Sequence, residues 1–450
     1  MFSIRMTVGA VCLVAGMGTV AAGEAVTREE FQKFVDQLEK LSAENAQIKA
    51  ANVEIRAENA DLKKQMAKVK TAPVTDLEAE LDKYVTVEEF KAVKNSVAAI
   101  KPGTTKFLLT GGASTTFTAP QQQNSTFSAE FDPIFLWKMS ERLSFEAEIP
   151  FSAEDGGTSV ELEYADIAYA ANDYLTIQAG KFKSPFGLFN MRFDPAWMNK
   201  LADPPMIYDD GAAGLVPHQQ VGIMGIGATD AGPTKIRYAA FLSNGLRVVP
   251  SDPATFGQLI PSNDADNNNS KGVGGRLGFL PIPNLELGGS FEYSSNVFDR
   301  NLHKAWGRLL GLDISMNRDF DPLLGTIDIK AEFVWSKVGN ATYSVTTDPA
   351  ADVRFNHNHR SGNYAQLAYR PTKVDQRWVK NLEAAVRYDH LDNPNPTADT
   401  PPDAQFQREN HDRWTVGLNY YLETSTVLKA DYERDSHGGR TYYIQYAIGF

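Results

Sequence analysis

From Lys106 to the carboxyl terminus, apolar and polar residues alternate with a period of two, which is the period of a β-strand. In the last stretch, Tyr442–Phe450, one parity is wholly apolar and begins and ends with an aromatic residue. The stretch before it alternates apolar with charged residues: Leu428, Ala430 and Tyr432 with Lys429, Asp431 and Glu433. A soluble sandwich would bury the apolar face but does not need charge on the other face of so many strands. We therefore expect a closed transmembrane sheet with lipid outside and water inside.

The alternation predicts an all-β barrel of sixteen antiparallel strands. The predicted strands begin near residues 106, 125, 142, 159, 174, 219, 234, 271, 285, 303, 325, 361, 381, 411, 424 and 440. Segments of about ten residues with aromatic side chains near their ends suit tilted strands that cross a bilayer.

The predicted connections alternate between short and long. Tight turns are expected at 138–141, 171–173, 230–233, 281–284 and 423–424, and long loops at 184–218, 244–270, 338–360 and 392–410. In barrels of this kind tight turns face the periplasm and long loops face outward. An even number of strands returns both ends of the barrel to the periplasm, so whatever precedes the barrel is expected there.

The chain begins with a predicted secretory signal peptide, residues 1–22. It contains Arg5, an apolar run and small residues at its end, and an amino-terminal anchor helix is the alternative. The single cysteine, Cys12, lies inside this segment. No later stretch approaches the ~20 apolar residues of a membrane-spanning helix.

Residues 23–72 carry a heptad repeat. Apolar and Asn residues follow one another at spacings of three and four: Phe31, Phe34, Leu38, Leu41, Asn45, Ile48, Asn52, Ile55, Asn59, Leu62, Met66 and Val69. Asn45, Asn52 and Asn59 occupy three consecutive a positions and would fix the register, while Ile at d favours more than two strands. We expect a periplasmic trimeric coiled coil; a single amphipathic helix on a surface is the alternative.

Pro73 ends the heptad segment, since proline cannot continue a helix. A second helical segment or linker is predicted over 73–104, with capping-box spacing at Thr86 and Glu89. The barrel domain is therefore expected to occupy residues 105–450.

Charge and composition exclude other classes. The net charge is −12, and it becomes −13 when the signal peptide and its Arg5 are removed, so a nucleic-acid binder is not expected. His357 and His359 lie in a predicted loop without a third ligand nearby, and no serine, histidine and acid group together on neighbouring strands. We predict neither catalysis, nor a cofactor, nor a metal site.

Strand parity places charges of both signs in the lumen. The basic residues are Arg237, Arg276, Lys330, Arg370, Arg387 and Lys429. The acidic residues are Glu146, Glu148, Glu286, Glu292, Asp328, Glu332, Glu383, Asp389, Asp431 and Glu433. Because carboxylates outnumber cations, the pore is expected to tolerate cations or to be weakly selective. Parity alone puts Lys181 and Lys183 on the outer side, which faces lipid or a neighbouring subunit.

A family resemblance follows from the end of the fifth strand. The stretch Ala179–Gly187, AGKFKSPFG, resembles the strand-end signature of the phosphate-selective porin O and P family, and the heptad segment is similar to that of DcaP-like trimeric porins. The resemblance implies an outer-membrane homotrimer of sixteen-stranded barrels. It also implies a third loop folded into each pore and a carboxy-terminal aromatic residue read by the insertion machinery.

The predicted function is passive diffusion of small hydrophilic solutes or ions through a water-filled barrel, with an anion or phosphate preference left open. Loop 184–218 mixes aromatic with charged residues and would narrow the channel if it folds inward. The candidate pore-lining residues are Lys183, Arg192, Arg237, Arg276, Lys330, Arg387, Asp209 and Asp210. The alternative is a structural protein that tethers the outer membrane to the cell wall, with peptidoglycan as its partner.

Overall fold

The computed structural model describes residues 106–121, 123–154, 157–209, 214–248, 258–260, 262–263, 266, 268–298, 304–343, 353–394, 397–398 and 410–450. They belong to a single unit, Pro102–Phe450. The predicted signal peptide, coiled coil and second helical segment lie outside the described residues, and so do Asn45, Asn52 and Asn59. Among the described residues, no helix is both long enough and apolar enough to cross a membrane.

The described part of the chain is built almost wholly from strands. Their bounds are β1 Phe107–Pro120, β2 Thr126–Lys138, β3 Leu143–Glu148, β4 Phe151–Glu154, β5 Gly157–Val160, β6 Tyr164–Asn172, β7 Leu175–Lys183, β8 Gln219–Ala231, β9 Thr234–Ser243, β10 Ser262–Asn263, β11 Gly272–Ile282, β12 Leu285–Ser294, β13 Gly307–Phe320, β14 Gly325–Val338, β15 Ala341–Tyr343, β16 Val353–Asn356, β17 His359–Arg370, β18 Leu382–Asp392, β19 Thr397–Ala398, β20 His411–Glu423, β21 Thr426–Asp435 and β22 Arg440–Gly449. Two short α-helices, α1 Phe189–Arg192 and α2 Arg377–Lys380, and two 3₁₀ turns, Met206–Tyr208 and Asp321–Leu323, lie in connections.

The strands form one closed antiparallel barrel. Each wall strand pairs with its neighbour in the chain, and β1 pairs with β22, with Gly112 opposite Gly449, which closes the sheet. The segments β3 and β4 form one wall strand interrupted at Ile149 and Pro150, and β5 and β6 form the next. The short strands β10, β15, β16 and β19 belong to long loops, so the wall has the sixteen strands that the sequence predicts.

The two faces of the wall have opposite chemistry. Large apolar side chains point outward and are exposed, among them Leu277, Leu312 and Ile444. Charged side chains of the alternate parity point inward and are buried, for example Arg387 at 0 % and Glu292 at 1 % exposure. This arrangement is the reverse of a soluble protein and is the one expected when lipid surrounds the wall.

The connections divide the barrel into two ends. One end, which we call the turn end, carries short connections, such as 173–174 and 232–233, and one longer connection, 371–381, which contains α2. The other, the loop end, carries the long connections 184–218, 244–271, 339–358 and 393–410. Three connections at the loop end are short, at 121–125, 155–156 and 436–439. Short and long connections therefore alternate less regularly than the sequence predicts. The carboxy-terminal Phe450 exchanges backbone hydrogen bonds with Gly111 on β1 and stacks on Phe131, with ring centroids 5.9 Å apart.

Candidate functional site in the barrel lumen

Loop 184–218 enters the lumen instead of standing over it. It leaves β7 through Gly187, whose φ of +69° lies in the left-handed region, and a Cβ there would collide with the Tyr208 hydroxyl and the Glu332 carboxylate. Several of its apolar side chains, among them Phe186, Phe189 and Ile207, are 3 % exposed or less. The inward position that the sequence predicts follows from these contacts, because the apolar side chains pack against the inner wall and not against water.

Glu332 on β14 is the main anchor for the first half of the loop. Its carboxylate accepts hydrogen bonds from the backbone N–H groups of Leu188 and Phe189, at 3.1 and 2.9 Å. It also accepts hydrogen bonds from the hydroxyl groups of Tyr208, at 2.7 Å, and Tyr364, at 2.8 Å. Glu332 is 2 % exposed, so these four donors satisfy a carboxylate that is buried in the barrel.

Glycines of the inner wall make room for apolar side chains of the loop. A Cβ at Gly362 would lie 2.7 Å from Ile207, and one at Gly449 would lie 2.5 Å from Trp197. Gly311 stands against Phe186 and Gly417 against Leu201 in the same way. These glycines lie on four different wall strands, β13, β17, β20 and β22, so the loop touches the wall over much of its circumference.

Charged groups on β18, β20 and β21 hold the second half of the loop. Arg387 donates to the carbonyl oxygens of Asp203 and Pro204, at 2.9 and 2.8 Å, and pairs with Asp389. Arg413 Nη1 pairs with the Asp203 carboxylate at 2.6 Å. Burial raises the pKa of Asp203, while Arg413 and Arg387 oppose that effect. Arg387, Asp389 and Arg413, which hold the loop, are 8 % exposed or less and do not face the water of the lumen.

Lys200 adds a further ion pair at the far wall. Its ammonium group lies 2.8 Å from Glu383 on β18 and 3.1 Å from the Tyr421 hydroxyl. Burial by itself would lower the pKa of Lys200, but the Glu383 carboxylate raises it above its ordinary value. The lysine is therefore charged over the whole range of physiological pH.

On the side of the lumen that the loop leaves open, an acid-lined cavity of about 580 Å³ remains. Its carboxylates come from β2, from β3, from the 161–163 bend and from the loop: Glu130, Asp132, Glu148, Glu161, Glu163 and Asp194. Lys183 is the one ammonium among the described lining residues, and it lies 2.9 Å from Asp194 and 3.4 Å from Glu148. Six carboxylates against one lysine make this cavity acidic.

Three arginines gather on the opposite side of the loop. Arg192 of the loop, Arg237 of β9 and Arg276 of β11 all pair with Glu286, at 2.7, 3.1 and 2.8 Å. Arg276 also pairs with Asp313 at 2.6 Å. They line a second cavity of about 300 Å³. Three guanidinium groups share two carboxylates, so this cluster is basic, and the Arg237 side chain is 41 % exposed to the lumen.

The structure separates the sequence-predicted site residues into three groups. Lys183 lies in the acid-lined cavity although parity alone turns it toward lipid, because it is the last residue of β7. Arg192, Arg237 and Arg276 form the basic cluster. Lys330 and Arg387 lie on the lumen face but are buried beneath the loop, where Lys330 stands 4.3 Å from the Phe193 ring. Asp209 is half-buried in the loop, and Asp210 lies outside the described residues.

Sequence reasoning missed two features of the site. Glu130, Asp132, Glu161 and Glu163 were not among the predicted lumen charges, although Glu130 and Asp132 follow the period-two pattern of β2. Glu332 was predicted to face the lumen but not to anchor the loop, since its donors come from residues far away in the chain.

A closed barrel with an apolar outer face, a charged inner face and a loop folded into its lumen defines an outer-membrane channel protein of the porin type. A family model describes the particular group: that of phosphate-selective porin O and P matches residues 137–200 and 245–435. The chain belongs to this family, whose members are channels and not enzymes.

Several solved porin structures are similar to the chain. An anion-selective porin from Comamonas acidovorans has 9 % sequence identity and a TM-score of 0.49, covering 76 % of this chain and 99 % of its own. OmpT of Vibrio cholerae, folded in vitro, has 10 % identity and a TM-score of 0.45, covering 76 % and 97 %. OmpF of Salmonella typhi in complex with daunomycin has 12 % identity and a TM-score of 0.46, covering 76 % and 97 %. No curated protein sequence matches the chain.

Proposed function

We propose that the chain forms a homotrimeric outer-membrane porin through which small hydrophilic solutes and ions diffuse passively. In this proposal loop 184–218 sets the size limit, and the acid-lined cavity forms part of the path beside it. The observation that carries the proposal is the loop's attachment to the wall from β12 to β22, which leaves the side near β2 to β7 open. The predicted coiled coil at 23–72 would stand in the periplasm and support the trimer.

The charges beside the path support a weak preference for cations. Six carboxylates and one lysine line the cavity, and fixed charges at a narrow passage attract ions of the opposite sign. The cavity lies inside the barrel wall, so its charges are screened less than they would be on an open surface. Small cations and neutral polar solutes are the substrate class that this lining fits.

A preference for anions, phosphate included, is the second candidate. It is favoured by Arg192, Arg237 and Arg276, which bring three guanidinium groups together against Glu286 and Asp313. Arginine is suited to bidentate binding of phosphate. This candidate requires the main current to pass the basic cluster and not the acid-lined cavity.

The reversal potential in a potassium chloride gradient, measured on the full chain in a planar bilayer, distinguishes these candidates. We expect current in three equal steps and a reversal potential shifted toward the equilibrium potential of potassium. A variant carrying Glu130→Gln, Asp132→Asn and Glu163→Gln should shift it toward chloride. The matched control, Asp230→Asn with Asp319→Asn and Asp321→Asn, removes three carboxylates that are 58 to 86 % exposed at the turn end and should not shift it.

Other outcomes would change the proposal. Chloride or phosphate preference in the wild-type channel, lost in Arg237→Gln, would establish the second candidate. A reconstituted protein that passes no current would overturn the channel function itself.

A further inference from the structure

Two histidines and an aspartate meet at the loop end of the barrel. His411 is the first residue of β20, Asp435 is the last residue of β21, and His437 lies in the turn that follows. Arg413 lies directly opposite Asp435 in the backbone register of β20 and β21. Two residues further out, His411 therefore stands opposite His437. The two imidazole rings are 4.3 Å apart between centroids. Because His411 has the same parity as the buried Arg413, the group lies on the lumen face at the mouth of the barrel.

The three side chains turn their ligand atoms toward one another. The Nδ1 atom of His437 lies 3.1 Å from one oxygen of Asp435, and that of His411 lies 3.5 Å from the other. All three ligand atoms fall within 4.8 Å of one another. In a tetrahedral zinc site, with bonds of about 2.0–2.1 Å, ligand atoms lie about 3.4 Å apart. A small inward movement of side chains that are 23 to 44 % exposed would therefore complete the geometry.

We propose that His411, Asp435 and His437 bind a divalent transition-metal ion of the zinc class at the mouth of the pore. Two imidazole nitrogens and one carboxylate oxygen are the ligands of zinc sites that keep a fourth position for water. Calcium and magnesium prefer an all-oxygen environment and do not fit this donor set.

The turn holds the aspartate in place before any metal binds. The backbone N–H of His437 donates to Asp435 Oδ1 at 2.7 Å, and the N–H of Asp435 donates to the Gly439 carbonyl at 3.0 Å. Gly438, with φ of +87°, closes the turn. Such hydrogen bonds to a ligating carboxylate fix its direction and reduce the ordering that metal binding requires.

A nearby pair provides a matched control. His390 on β18 lies 2.8 Å from Asp412 on β20, but both have the opposite parity and lie on the outer face of the wall. This pair has one imidazole and one carboxylate, whereas the proposed site has a second imidazole. If one histidine beside one aspartate were enough to bind zinc, His390 would matter as much as His411.

The test is zinc titration of the full chain, purified in detergent without a polyhistidine tag, followed by calorimetry. We expect one site per chain, with binding at least about tenfold weaker in His411→Gln and in His437→Gln and unchanged in His390→Gln. Calcium should produce no heat of binding. The heat-dependent gel mobility of each variant shows whether its barrel is folded.

Cobalt(II) offers a second readout that needs no variant. An ion held by two imidazoles, one carboxylate and water should give the intense visible absorption of a four-coordinate centre, and zinc should remove it. A wild-type protein that binds no zinc would overturn the proposal. So would the weak absorption of a hexa-aquo-like centre, or equal zinc affinity in His411→Gln, His437→Gln and wild type.

Discussion

Removal of the Glu332 carboxylate should release the first half of loop 184–218. In Glu332→Ala the backbone donors of Leu188 and Phe189 and the hydroxyl groups of Tyr208 and Tyr364 lose their acceptor. A buried donor left without a partner costs about 1–3 kcal/mol. Truncation to alanine leaves space that water can fill, so we take the low end, about 4 kcal/mol for the four. That value lowers the ratio of seated to released loop by roughly a thousandfold.

Trypsin cleavage and single-channel current measure this release. The loop contains Arg192 and Lys200, which are paired with Glu286 and Glu383 in the seated position. We expect rapid cleavage after these residues in Glu332→Ala, slow cleavage in wild type, and a larger and noisier current in the variant.

The matched control is Glu146→Ala, which removes a lumen carboxylate that accepts a hydrogen bond from Tyr164 at 2.8 Å on the neighbouring strand. Its cleavage and current noise should resemble those of wild type. If Glu332→Ala resists trypsin as well as wild type and carries the same current, the carboxylate does not hold the loop.

Two further substitutions test the packing and charge of the loop. Gly362→Leu should collide with Ile207, which a Cβ already meets at 2.7 Å, and should lower the free energy of unfolding in urea by about 1–3 kcal/mol. The control is Gly289→Leu on the outer face, where a Cβ has 3.7 Å of clearance, and it should leave the free energy of unfolding unchanged. Equal urea midpoints for the two variants would refute the steric argument. Lys200→Met should cost about 3 kcal/mol by leaving Glu383 buried without its partner. Because the folded-state pKa of Lys200 is raised, its contribution is fully present below the unfolded value of ~10.4, so the loss should be constant from pH 6 to 10, and a loss that fades above pH 8 would contradict the pairing.

The strands were predictable because the bilayer imposes one rule along the whole wall. Every outward residue faces lipid and every inward one faces a polar lumen, so parity carries through each strand independently of distant contacts. The clearest deviation is at the tenth wall strand, which is predicted to begin near 303 and begins at Gly307. Pro150, which has no N–H to donate, lies at the interruption between β3 and β4.

The lumen was less predictable because the contacts of the loop involve residues that are far apart in the chain and meet only in the folded barrel. Parity correctly turns Arg387 and Glu332 inward, but it does not tell whether a side chain meets water or the loop. Lys183 shows the opposite error, since parity turns it outward and yet its ammonium group lies in the lumen. Its strand ends there, and the flexible side chain reaches Asp194 across the bend. The glycine positions that receive the loop carry no pattern of their own in the sequence.

The attachment of the loop to only part of the wall has an evolutionary consequence. Strands β12 to β22 are constrained, since a change in their inward residues disturbs both the fit and the ion pairs of an element that is far away in the chain. Fewer inward residues from β2 to β7 contact the loop, so the sign of the charge in this region can change between relatives while the architecture stays the same. Divergence of solute preference within the family should therefore concentrate in the first third of the barrel.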